Sequence, residues 1–207
     1  MLIKPVFLTI HGIDGVGKSS ITTALCDILN NEQIPTINYG TSSQKWDNPF
    51  SKIKKIVKET ATPQQEFLNF INSHISHSHK IKELLQQNTS VVKDRFSDDI
   101  GASSSFRGVQ YANELIQFFE KSGDLLVPDH KILLTANENV RMKRIEKREW
   151  NNEMDYIPNK PGHRAYHFEQ YLKKRIQEHG TKGLELDTSD MDIKEVSYRI
   201  YDFIKAQ

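Results

Sequence analysis

The stretch Gly12-Ile13-Asp14-Gly15-Val16-Gly17-Lys18-Ser19 fits the pattern G-x-x-x-x-G-K-[ST] and constrains this chain more than any other part of it. Glycines let the backbone curl so that successive N–H groups face one anion. A helix that begins at the lysine adds its positive end at the same point. The flanks supply the setting such a loop requires. Residues 6–10, "VFLTI", are apolar with β-branched and aromatic members, the composition of a strand buried on both faces. After the loop, Ile21, Ala24, Leu25, Ile28 and Leu29 recur at helical spacing. Strand, loop and helix together predict a phosphate cradle in which Asp14, Gly15, Val16, Gly17, Lys18, Ser19 and Ser20 surround a nucleotide. Lys18 is expected to reach the β- and γ-phosphates, and the Ser19 hydroxyl to bind Mg²⁺. No Asn-Lys-x-Asp motif of the kind that reads guanine occurs, so ATP is the expected nucleotide.

The rest of the chain repeats the same alternation. Residues 34–40, 90–93, 130–136 and the stretch from Gly183 read as further strands. Helical patterns fill the intervals: from Phe50, from Pro63 to Gln87, on through Phe118 and Phe119, over 137–149, from about His163 to a stop at Gly180, and from Ile193 to the end. Alternating strands and helices predict an α/β fold, a five-stranded parallel sheet with helices on both faces, in three layers. Right-handed crossovers then place the carboxyl ends of the strands, and the loops they carry, along one edge. Residues 150–163 hold two prolines, one glycine and three asparagines and read as a mobile loop, the core of a short lid at about 149–163. With no repeat or long linker, residues 1–207 read as one domain.

Composition excludes several classes. Lys+Arg of 28 against Asp+Glu of 27 leaves a net charge of +1, which argues against a nucleic-acid polymer as partner. No apolar run is long enough to span a membrane, and the opening residues lack a signal-peptide pattern. The single cysteine, Cys26, rules out an intrachain disulfide and reads as a small buried helix residue. A cytoplasmic protein is expected.

Asp94-Arg95-Phe96 closes the third strand and therefore faces the same edge as the glycine loop. A carboxylate there can hold Mg²⁺ or accept a proton. An arginine there can grip an acceptor phosphate through paired hydrogen bonds. Phe67 and Phe70 are core candidates by helical spacing. Arg141, Lys143, Arg144, Lys147 and Arg148 form a cationic run that reads mostly as a solvated helix face. Arg144 and Arg148, four apart, share one side of it and are candidate nucleotide contacts, with Lys160 and Arg164 as further donors from the lid. The histidines of "SHISHSHK" read as polar helix surface or cleft rim.

Taken in order, these segments resemble the thymidylate kinase family of P-loop nucleoside monophosphate kinases. The likeness lies in "FLTIHGIDGVGKSS", "VVKDRFSDDIGAS", "VPDHKILLTANENVRMKRIEKRE" and "LELDTSDMDIKEVSYRI". The resemblance implies ATP- and Mg²⁺-dependent phosphoryl transfer to a nucleoside monophosphate, catalysed with Lys18, Asp94 and Arg95. It implies Asp14, Phe70, Ser73 and Arg95 around the acceptor, Ser19 and Asp94 at the metal, and a homodimer through the middle helices, to which the apolar stripe from Phe67 to Ile81 lends a hint. The chain also departs from the family. His11 stands in place of a glutamate, and Gly15 where one subgroup has an arginine. The end of the second strand, "NYGTSS", has no cation before Lys45 where the family has an arginine. Ser73, with His74 beside it, stands where an arginine reads the thymine edge. These departures argue against dTMP itself as acceptor, since charge-assisted hydrogen bonds are worth roughly 1.5–3 kcal/mol each. Two other readings fit the same residues: a nucleoside kinase in which Asp94 is the base, and a nucleotide-binding regulatory module without turnover.

Overall fold

Strand polarity follows from the connections, each of which carries a helix back over the sheet. The computed structural model describes residues 4–39, 61–148, 156–177 and 182–206. Along the chain these give β1 (Phe7–His11), α1 (Lys18–Asn31), β2 (Thr36–Asn38), α2 (Pro63–Gln86), β3 (Ser90–Asp94), α3 (Ser97–Phe106), α4 (Ala112–Ser122), β4 (His130–Thr135), α5 (Glu138–Glu146), α6 (Arg164–Ile176), β5 (Lys182–Asp187) and α7 (Ile193–Lys205). The strands form one parallel sheet in the order β2-β3-β1-β4-β5. This is the three-layer α/β arrangement of P-loop NTPases that the alternation predicts. The helix expected from Phe50, the stop at Gly180 and the first part of the lid lie outside the described residues.

Alternation along the strands sorts the core into two layers. Leu8, Ile10 and Val92 pack with Leu25 and Leu29 of α1 and with Val196 and Ile200 of α7. Phe7 and Val91 turn the other way, onto Phe67, Ile71 and Ile81 of α2 and Ile116 of α4. The apolar stripe of α2 thus faces the chain's own core, which removes it as a hint of a dimer surface. Helix α2 begins where its sequence dictates. Pro63 occupies its first turn, and Thr62 and Gln65 cap each other's backbone N–H groups at 3.3 and 2.9 Å.

The helical patterns expected through Phe119 form two helices. Gly108 (φ 70°) and Tyr111 (φ 61°) adopt left-handed backbone between α3 and α4, a conformation that no helix continues.

Parallel register aligns Thr9 of β1 with Lys93 of β3 on one side and Lys131 of β4 on the other. All three sit in one row beneath the face covered by α2, α3 and α6, and all three are buried.

Candidate active site

The glycine loop leaves β1 through backbone that side chains resist: φ is 142° at Gly12, 90° at Gly15 and 98° at Gly17. A Cβ on Gly15 would lie 2.5 Å from Arg141 Cγ and 2.8 Å from the Arg141 carbonyl oxygen, so nothing larger than glycine fits. Gly17 caps α1 without any side-chain hydrogen bond, which leaves the first N–H groups of the helix for an anion. Lys18 is buried and lies across the loop. Its ammonium donates to the Ile13 carbonyl at 2.8 Å and stands 3.7 Å from the Asp14 carboxylate. Burial, and then Arg95, draw its pKa below the usual lysine value.

Asp94 ends β3 beside the loop, where Ser19 Oγ donates to its Oδ2 at 2.8 Å. The other oxygen, Oδ1, is buried with no hydrogen-bond partner. A hydroxyl and a half-satisfied carboxylate are hard oxygen donors of the kind Mg²⁺ takes, so these two residues fit such an ion. Among the described residues, no group of three or more His, Cys, Asp or Glu side chains is arranged to hold a metal, the histidines of α2 included.

The next residue turns the chain sharply. Arg95 has φ 66°, a left-handed conformation outside any glycine. The turn brings its guanidinium over the loop, where it donates to Asp14 at 2.6 Å and to Asp99 at 3.2 Å, above the ring of Phe168. Burial alone would raise the Asp14 pKa, but Lys18, Arg95 and Arg148 together hold it below the ordinary carboxylate value.

Asp14, Phe70, Ser73 and Arg95, the four expected acceptor residues, line a single cleft of about 900 Å³ between the sheet edge, α2, α3 and the start of α6. Ser73 stands exposed at its rim, whereas His74, one turn after Phe70, is half-buried and packs its ring on Phe96 at 4.8 Å.

In the cationic run Lys143, Lys147 and Arg148 are exposed, as a mostly solvated face requires, and Arg141 is the departure from it. Arg141 is 1% exposed. It donates to the Asp14 carbonyl at 3.1 Å, to the Ile157 carbonyl at 2.7 Å and to Glu138, and so ties the glycine loop to the described part of the lid. Its neighbour Arg144 is held by Thr188, at 2.8 Å to Oγ1 and 2.6 Å to the carbonyl, and the Thr188 hydroxyl is 3.1 Å from the Val16 carbonyl of the loop. Arg148 is exposed, yet it reaches Asp14 electrostatically. Arg164 opens α6, donates to Ser103 Oγ at 3.3 Å and lines the cleft. Lys160 is exposed.

A family model described as Thymidylate kinase matches residues 10–196. The chain belongs to the thymidylate kinase family. It is therefore a phosphotransferase of the nucleoside monophosphate kinase kind. A thymidylate kinase of Rickettsia bellii is 27% identical over 154 residues, 72% of each chain. That of Brachyspira hyodysenteriae is 30% identical over 145 residues, covering 68% of this chain and 70% of its own. That of Rickettsia typhi is 26% identical over 156 residues.

Behind the cleft this member of the thymidylate kinase family carries a buried charge cluster that sequence reading missed. His11 Nδ1 lies 2.5 Å from Asp99, and its Nε2 lies 2.8 Å from Thr9 Oγ1. Asp98 accepts from Lys131 and from Arg175, each at 2.7 Å, and Arg175 continues to Glu120 at 3.1 Å. Burial would raise the Asp98 pKa, but Lys131, His11 and Arg175 drive it well below the carboxylate range. The only signal available beforehand was His11 itself, a polar residue closing an apolar strand. Cys26 is buried, and burial pushes its thiol up to about 12.

Proposed function

We propose that this protein transfers the γ-phosphoryl group of ATP to a nucleoside monophosphate other than dTMP, within the cleft between Arg95 and Phe70. The observation that carries this reading is the meeting of two sequence-distant segments at one sheet edge: Ser19 bonded to Asp94 at 2.8 Å and Asp14 to Arg95 at 2.6 Å. The loop amides and Lys18 bind and orient the donor phosphates. Arg95 orients the acceptor phosphate for in-line attack, and Asp14 fixes the angle of that guanidinium. Mg²⁺, which Ser19 and Asp94 would hold, supplies charge neutralisation to the β- and γ-phosphates. Phe70 offers the acceptor base a stacking face, with His74 and Ser73 where a thymine-reading arginine would otherwise stand. Arg144, Arg148 and the lid at about 149–163 close over the donor side and exclude water.

The test is a coupled assay of ADP release with Mg²⁺-ATP across a panel of nucleoside monophosphates. One of the panel is expected to stimulate ADP release well above dTMP, and Lys18→Ala to abolish it. Release unaffected by every monophosphate would overturn the kinase reading in favour of a nucleotide-binding module. Turnover with a nucleoside in place of its monophosphate would favour a hydroxyl acceptor. Efficient turnover of dTMP would overturn the acceptor assignment alone.

A further inference from the structure

A strand face covered by a helix calls for apolar residues, and β3 keeps to this at Val91 and departs from it two residues later, at Lys93. Lys93 is 3% exposed. Among the described residues its ammonium has one hydrogen bond, a long one of 3.5 Å to the Tyr39 carbonyl, and it lies 5.2 Å from the centre of the Tyr39 ring. Among the described residues it makes no ion pair. A buried cation with no ion pair among the described residues is costly unless a further anion balances it.

Two features say where that balance comes from. Lys93 lines the cleft together with Arg95, His74 and His77. It also feels the carboxylates of Asp94 and Asp99, which act on Arg95 too. Beside it, His77 stacks edge-on against Tyr39 at 5.5 Å, with its Nδ1 buried and without a hydrogen-bond partner. Tyr39 directly follows β2, the strand whose end carries no cation of its own among the described residues.

We infer that Lys93 is a binding residue for the phosphate of the acceptor, delivering from β3, beneath the end of β2, the second positive charge that pairs with Arg95. The acceptor class is a phosphorylated nucleoside rather than a neutral one, and His77 offers its unfilled nitrogen to the same anion. This inference rests on the acceptor cleft proposed above.

The experiment compares wild type with Lys93→Met and Lys93→Arg, using the best monophosphate of the panel, its parent nucleoside, and inorganic phosphate as competitor. Lys93→Met is expected to raise the KM for the monophosphate by about tenfold or more, the loss of one charge-assisted bond. The KM for ATP and the affinity for the parent nucleoside, by calorimetry, should stay within about twofold. Lys93→Arg should recover most of the loss. Removal of an unpaired buried charge should leave the thermal midpoint unchanged or raised, which excludes misfolding as the cause. A monophosphate KM unchanged in Lys93→Met overturns the inference while leaving the kinase reading intact. So does an equal loss for monophosphate and nucleoside. If no monophosphate turns over, calorimetric binding of the monophosphate decides. Binding weakened by Lys93→Met sustains the inference and sinks the kinase reading, and absence of binding to wild type overturns both.

Discussion

Lys93 and Lys131 occupy the same row of the sheet, one on each side of Thr9, and are equally buried at 3% and 2%. Their surroundings differ completely. Lys131 meets Asp98 at 2.7 Å inside a cluster that also holds Arg175, Glu120, His11 and Asp99. Lys93 meets a carbonyl oxygen and an aromatic ring at the wall of a cleft. Charges balanced within the chain serve its architecture, whereas a charge left for something outside the chain serves binding. On the proposal above, the acceptor side of the sheet lies between β1 and β2, and the bracing cluster lies beside β1 and β4.

The largest effect should fall on the braced side. Asp98→Asn leaves Lys131 and Arg175 buried against a neutral partner and is expected to lower unfolding free energy by about 3–5 kcal/mol. Urea unfolding monitored by circular dichroism measures it. The same carboxylate fixes the sign of a pH effect. Its folded pKa lies below its unfolded value, so its contribution is complete above the ordinary aspartate range and is lost as pH falls through and below it. The urea midpoint of wild type should therefore drop on acidification below about pH 4. Asp98→Asn should lose most of that slope. An Asp98→Asn protein as stable as wild type would erase the distinction between the two lysines.

On the open side the readout changes from stability to rate. Arg95→Ala is expected to reduce kcat/KM for the acceptor on the order of 10²-fold while the protein remains folded, because the guanidinium is at the cleft wall and a third exposed. Initial-rate kinetics checks it. The loop beside it gives a smaller and mixed result. Gly15→Ala forces φ of 90° on a residue with a Cβ that collides with Arg141, at a cost of about 1–3 kcal/mol in unfolding free energy. Since Arg141 also holds the Asp14 carbonyl, ATP affinity should fall in the same variant, and a nucleotide titration reads it.

How far the sequence speaks depends on the distance over which its residues act. The glycine loop, the capped start of α2 and the strand–helix alternation are local patterns, and each predicts the element that forms. Asp14 and Arg95 converge because parallel topology sends strand ends to one edge, and Phe70 meets them from α2. Arg141 misleads, since a charge run carries no mark of which turn a distant loop will approach. The pairing of His11 with Asp99 spans 88 positions and has no local signature. Lys93 was visible only as the residue where an apolar strand stops being apolar, and its meaning required knowing that it forms no ion pair among the described residues.

The smallest predicted effect sharpens the comparison within the cleft itself. Ser73 and His74 are adjacent on α2, yet a step of one residue rotates a helix by about 100°. Ser73 thereby faces solvent at the rim, and His74 turns onto Phe96 beside Phe70. Ser73→Ala removes a hydroxyl that water already solvates, so acceptor KM should stay within about twofold. His74→Ala removes a ring that packs against the cleft floor, and acceptor KM should rise several-fold, by roughly 1 kcal/mol. Parallel kinetics of the two variants on the same monophosphate separates them. A larger effect at Ser73 than at His74 would mean that the acceptor enters along the rim of α2 rather than behind it, and the wall that holds Lys93 would lose its claim to the ligand.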